Sequence, residues 1–127
     1  MIDRIVISSS ACAGADGSAA ATAYSPHVSG KVLAVAVVYT GDDPGSTDVT
    51  LSDEADPLAE NILTIANAAT DLKVYPRRLL ETNDGTDLTY DGTRKVYGKY
   101  VVHGRLKLTV AQANTDDVIT ATVWIES

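Results

Sequence analysis

Two histidines, His27 and His103, and many serines supply the parts of a nucleophilic triad on paper. No serine stands in the glycine pattern of a nucleophile elbow, and neither histidine has neighbours in sequence that would orient it. Both are read as loop or sheet-surface residues. The single cysteine, Cys12, and the two separated histidines give no zinc-ligand pair at usable spacing. Acidic oxygens crowd into turns at Asp84-Gly-Thr-Asp87 with Asp91, at Asp42-Asp43, and at Asp53-Glu54 with Asp56. They lack the ligand order and terminal Glu of an EF-hand and are read as solvated turns, with structural calcium as the alternative. Acids are scattered so widely that spacing assigns no pair to glycoside hydrolysis. No glycine-rich phosphate loop is present. The expectation is a protein that is not an enzyme, with no catalytic residue, cofactor or metal.

Residues suited to binding are more distinctive. Pro76-Arg77-Arg78 could hold carboxylates of a partner through paired guanidinium contacts. Tyr75, Tyr90, Tyr97, Tyr100 and Trp124 could form a stacking or docking platform. Their competing role is to complete a core in a chain with no Phe. From this group Arg77, Arg78, Tyr97, Tyr100 and Trp124 are the candidate partner-binding residues.

Charge adds a direction. The net charge is −7, with two basic residues against ten acids in 1–72 and eight against seven in 73–127. An acidic chain is a poor nucleic-acid binder, because phosphate contacts dominate that affinity. The asymmetry suits a molecule with one acidic surface and one mixed surface that docks. One cysteine permits no internal disulfide, which favours assembly in a reducing interior. The N-terminus has an acid at position 3 and no long apolar run, so no signal peptide is expected. The longest apolar run, Val32 to Tyr39, is too short to cross a bilayer as a helix, and no membrane partner is expected.

The elements that must position these residues are strands. Leu106, Leu108 and Val110 alternate with Arg105, Lys107 and Thr109, and Ile119, Ala121, Val123 and Ile125 share a second apolar face. The two runs predict an antiparallel hairpin across Gln112 to Asp117, with Arg105, Lys107, Thr120, Thr122 and Trp124 facing solvent or a partner. Residues 2–9 predict a first strand. Residues 8–22 are almost all Ala, Ser and Gly, and predict a mobile loop or an arm, with 20–24 recovering as a short strand that ends at Ser25-Pro26. Lys31 to Thr40 predicts a buried central strand, with Asp48–Ser52 returning beside it after the turn Gly41–Gly45. Residues 61–66 are read as strand against a helical alternative starting at Pro57, Pro76 marks an edge or a break, and Asn83-Asp-Gly85 a hairpin turn. The whole chain, 1–127, is expected to be one all-β domain, a mostly antiparallel β-sandwich with jelly-roll character. More outward apolar surface than one small sandwich can cover suggests self-association.

The strings Asn67-Ala-Ala-Thr-Asp-Leu-Lys-Val-Tyr-Pro-Arg77, Leu88-Thr-Tyr-Asp-Gly92 and Val102-His-Gly-Arg-Leu-Lys-Leu-Thr-Val-Ala-Gln112 carry a likeness. Over roughly residues 28–127 the chain resembles the small capsid decoration (cement) proteins encoded among the head genes of tailed bacteriophages. The resemblance implies a β-sandwich seated on the major capsid protein of a virion, commonly as a homotrimer, after assembly in the host cytoplasm. It carries over no catalytic residue. The alternative expectation is a tail- or fibre-associated sandwich that binds carbohydrate.

Overall fold

Period-two alternation dictates strand nearly everywhere, and the computed structural model, which describes residues 1–127, contains no helix. In chain order the strands are β1 (Ile2–Ser8), β2 (Ala19–Tyr39), β3 (Asp48–Asp53), β4 (Asn61–Ile65), β5 (Leu72–Val74), β6 (Arg78–Leu79), β7 (Tyr97–Gly98), β8 (Val101–Ala113) and β9 (Ile119–Glu126). Every pairing is antiparallel.

β2 is the long central strand of one seven-stranded sheet, ordered β1-β9-β2-β8-β3-β4, and it changes partners along its length. Its first part, 19–31, pairs with β8, which pairs with β3 and then β4. Its second part, 31–39, pairs with β9, which carries β1, while Val35–Val37 also take β5 on the other side. The change of partner falls beside Gly30. Its φ of +145° and a Cβ position only 2.4 Å from the Glu126 carbonyl oxygen admit no side chain there. The two halves close over one cluster of 22 buried residues, mostly Val, Ile, Leu and Ala, as a chain without Phe requires. The all-β sandwich expected from the alternation is therefore present, and residues 61–65 are strand.

Three expectations need correction. First, β2 runs through Ser25-Pro26 instead of ending there. A bulge between Tyr24 and His27 takes the proline out of the ladder, and the buried Ser25 Oγ accepts the Leu106 N–H at 2.9 Å. The side chain thus replaces a backbone acceptor. Second, β3 lies beside β8 and not beside 31–40, because that part of β2 already has β9 and β5 as neighbours.

Third, β8 and β9 do not pair as a hairpin; they lie on either side of β2 in one seven-stranded sheet, and both send alternate side chains into the one core. The connection is an arch with Gln112 at φ 55° and Asp116 at φ 68°. The small-residue segment ties this arch together. Cys12 N–H donates to Asp117 O and Cys12 O accepts from Asp116 N–H, both at 2.9 Å, while Ser9 N–H donates to Ile119 O at 2.8 Å. Ser9 Oγ in turn accepts Ile119 N–H at 3.0 Å. Residues 8–22 are thus not a single loop or arm. Ser8 ends β1, residues 9–18 brace the arch with Cys12 buried, and 19–22 open β2 with Ala19 buried. Small side chains are what let this backbone pass so close to its neighbours.

Candidate docking face

Alternation along β9 buries Ile119, Ala121, Val123 and Ile125 and turns Thr120, Thr122, Trp124 and Glu126 outward. Register then assembles in rows the outer face of the part of the sheet formed by β1, β9, the second part of β2 and β5. Arg4 lies opposite Trp124 and Trp124 opposite Ala34; Val6, Thr122, Ala36 and Lys73 form the next row; Ser8, Thr120 and the exposed Val38 form a third. Lys73 Nζ sits 4.5 Å from the Trp124 ring centroid and 5.5 Å from that of Tyr75, a cation–π arrangement that holds both rings. These three rows contain no acid, on a chain of net charge −7.

Beside this face, past Pro76, lies a cleft of about 450 Å³ lined by Lys31, Arg77, Leu80, Tyr97, Gly98 and Lys99. Arg77 Nη1 donates to Leu33 O at 3.1 Å and to Pro76 O at 2.8 Å, which fixes the guanidinium and leaves its Nε and Nη2 without a protein partner. Lys99 reaches Glu126 only at 3.5 Å. Five of the chain's ten Lys and Arg residues make no ion pair: Arg4, Lys31, Lys73, Arg77 and Lys107. Four of these five sit on this face or in its cleft, and only Lys107 lies elsewhere, on β8.

The five candidate binding residues separate. Arg77 and Tyr97 meet in the cleft, and Trp124 lies on the adjoining face. Arg78 is engaged by Glu60 and Glu81, each at 3.2 Å. Tyr100 packs against the core, where burial raises its phenol pKa. Lys31, Lys73, Lys99 and Arg4 were not singled out from the sequence. Register places Arg4, Lys31 and Lys73 on this side of the sheet, and the turn between β7 and β8 carries Lys99 into the cleft.

The other candidate chemistries resolve into structural roles. Asp84 Oδ1 accepts from Thr82 Oγ1 and from the Thr86 N–H and hydroxyl, and these bonds lower its pKa to about 2. Asp91 accepts the Thr93 and Arg94 N–H groups, Asp87 pairs with Lys95, and Asp56 caps Leu58 and Glu60. Glu54 makes a two-point contact with Arg105, whose hydrogen bond lowers the Glu54 pKa. No group of three or more His, Cys, Asp or Glu converges as a metal site. His27 and His103, far apart in sequence, do meet: their ring centroids are 4.9 Å apart at 89°. His103 Nδ1 lies 3.2 Å from Ser29 Oγ, but no carboxylate backs this contact. The near acid, Asp53, gives its oxygens to the N–H groups of Ala55 and His103.

Comparison with known proteins adds little to this geometry. No family model matches the chain, and no curated protein matches it. Among solved structures, one described as the crystal structure of FLHE aligns over 99% of this chain and 98% of its own, at 12% identity and a TM-score of 0.45. Another, described under CBM4 structure and function, covers 92% of this chain and 89% of its own at 9% identity and a TM-score of 0.34. Similarity at these levels carries no argument about function.

Proposed function

We propose that the protein is a virion structural protein, a decoration protein that seats its basic, aromatic face on an acidic surface of the major capsid protein. The observation that carries this reading is the clustering of four unpaired cations with Trp124, Tyr75 and Tyr97 on one side of an acidic molecule. Unpaired cations beside half-exposed rings suit a protein surface with carboxylates at its rim, where Arg and aromatic residues dominate binding. The sequence likeness to phage decoration proteins supplies the partner, the site in the virion and the trimeric arrangement. The test is co-sedimentation with capsids of the same virus, comparing wild type with Lys31→Glu/Arg77→Glu. Wild type should pellet in proportion to shell subunits and be released by raised salt, and the double variant should stay in the supernatant while remaining folded. Wild type that fails to pellet, or a double variant that pellets equally, overturns the reading.

One observation favours a second reading. Across β2, β8, β3 and β4, register aligns Thr22, Thr109, Thr50 and Thr64 in a row, next to a row that includes Tyr24 and Lys107. A flat hydroxyl ladder beside an exposed ring suits a sugar, as a tail- or fibre-associated carbohydrate module would require. Binding to a glycan array that is lost in Tyr24→Ala would favour it over the capsid reading.

A further inference from the structure

On the first part of β2 and the start of β8, Ser29 lies directly opposite His103 and His27 directly opposite Arg105. Residues 27, 29, 103 and 105 are exposed, whereas Val28, Val102 and Gly104 are buried, so the two histidines are diagonal neighbours on one outward face. We propose that His27 and His103 together bind a divalent transition-metal ion of the zinc, nickel and copper type. Two imidazoles that hold a metal at about 2.1 Å, with a ligand angle of about 90–110°, place their ring centroids roughly 4.6–5.3 Å apart. The observed separation of 4.9 Å falls inside that interval.

The surroundings fit the same reading. A tautomer of His103 that donates from Nδ1 to Ser29 Oγ, 3.2 Å away, leaves the Nε2 lone pair free, the arrangement by which a second group orients a metal-ligating imidazole. The Asp53 carboxylate accepts the His103 backbone N–H at 2.8 Å and anchors the strand beneath it. His27 also borders a cavity of about 290 Å³ that Asp3 and Ser29 line, which gives the ion access to water and a nearby negative charge. No third His, Cys, Asp or Glu completes the set, so water fills the remaining coordination positions. Imidazole ligands select borderline ions over Mg²⁺ and Ca²⁺, and affinity should rise from Co²⁺ through Ni²⁺ to Cu²⁺.

The test titrates the full chain with Cu²⁺, Ni²⁺, Zn²⁺ and Mg²⁺ by calorimetry, and follows the histidine ring resonances by NMR with paramagnetic Cu²⁺. Binding of one ion per chain is expected for the first three and none for Mg²⁺, with line broadening centred on His27 and His103. His27→Ala and His103→Ala should each abolish the single-site isotherm, and Ser29→Ala should weaken it by about tenfold. Both histidines are exposed, so the variants should keep the wild-type circular dichroism. No saturable binding to the wild type, or binding unchanged in His27→Ala/His103→Ala, overturns the proposal.

Discussion

Asp43→Asn should stabilise the protein near neutral pH and leave it unchanged in acid. Thr40 Oγ1 lies 2.8 Å from Asp43 Oδ2 and 3.3 Å from Asp117 Oδ1, and one hydroxyl proton cannot serve two carboxylates. Asp43 Oδ1 is buried with no partner. Burial raises the Asp43 pKa from 3.8 to about 6, opposed by the Thr40 hydrogen bond and reinforced by Asp117 and Asp42. A carboxyl raised in this way binds more protons folded than unfolded. Its contribution to stability is complete below its unfolded pKa and is lost as pH rises through about 6. A gap of about two units sets a ceiling of about 3 kcal/mol, which solvent screening at this partly exposed turn reduces to about 1 kcal/mol. An amide of the same shape keeps an acceptor for Thr40 and carries no charge at any pH. For a chain of this length about 1 kcal/mol moves the melting temperature by roughly 3–5 °C. Thermal unfolding followed by circular dichroism should show coincident transitions at about pH 3 and the variant higher by that amount at about pH 7.5. Taking the difference between the two proteins removes the titration of the carboxylates remote from Asp43 and leaves that of Asp43 with its neighbours Asp42 and Asp117. A variant that is less stable than wild type at neutral pH, or displaced equally at both pH values, would refute the reasoning.

Two further changes test the fold. Gly30→Ala should cost about 3 kcal/mol or more in urea unfolding, since its Cβ would meet the Glu126 carbonyl at 2.4 Å where β2 changes partner; a loss under about 1 kcal/mol would mean that the corner is soft. Ser25→Ala should cost about 1–3 kcal/mol by leaving the buried Leu106 N–H without an acceptor, and unchanged stability would show that the bulge finds another partner for it.

The period-two pattern determined a good deal by itself. Alternation reports which side chains point inward, so Leu106, Leu108 and Val110, and Ile119 through Ile125, were legible as core faces before any pairing was known. The run Lys31–Thr40, apolar on both sides, was likewise legible as a strand flanked by neighbours. Alternation says nothing about which strand lies beside which, and there the tertiary structure decided. β8 and β9 read as a hairpin because they are consecutive, yet residues 9–18 brace the arch between them and the two strands lie on opposite sides of β2. The small-residue segment looked unable to order itself, and by local packing that holds; Cys12 and Ala19 are ordered by residues a hundred positions away in sequence. The docking face was half legible. Arg77, Tyr97 and Trp124 stand out by residue type, whereas Arg4, Lys31 and Lys73 are ordinary isolated cations until register places them, and Lys99 until the turn before β8 carries it into the cleft. His27 and His103 show the same limit most plainly. Their 4.9 Å approach depends on a bulge at Pro26 that shifts the pairing of β2 with β8, and no local pattern encodes the register of a strand against a partner so distant in the chain.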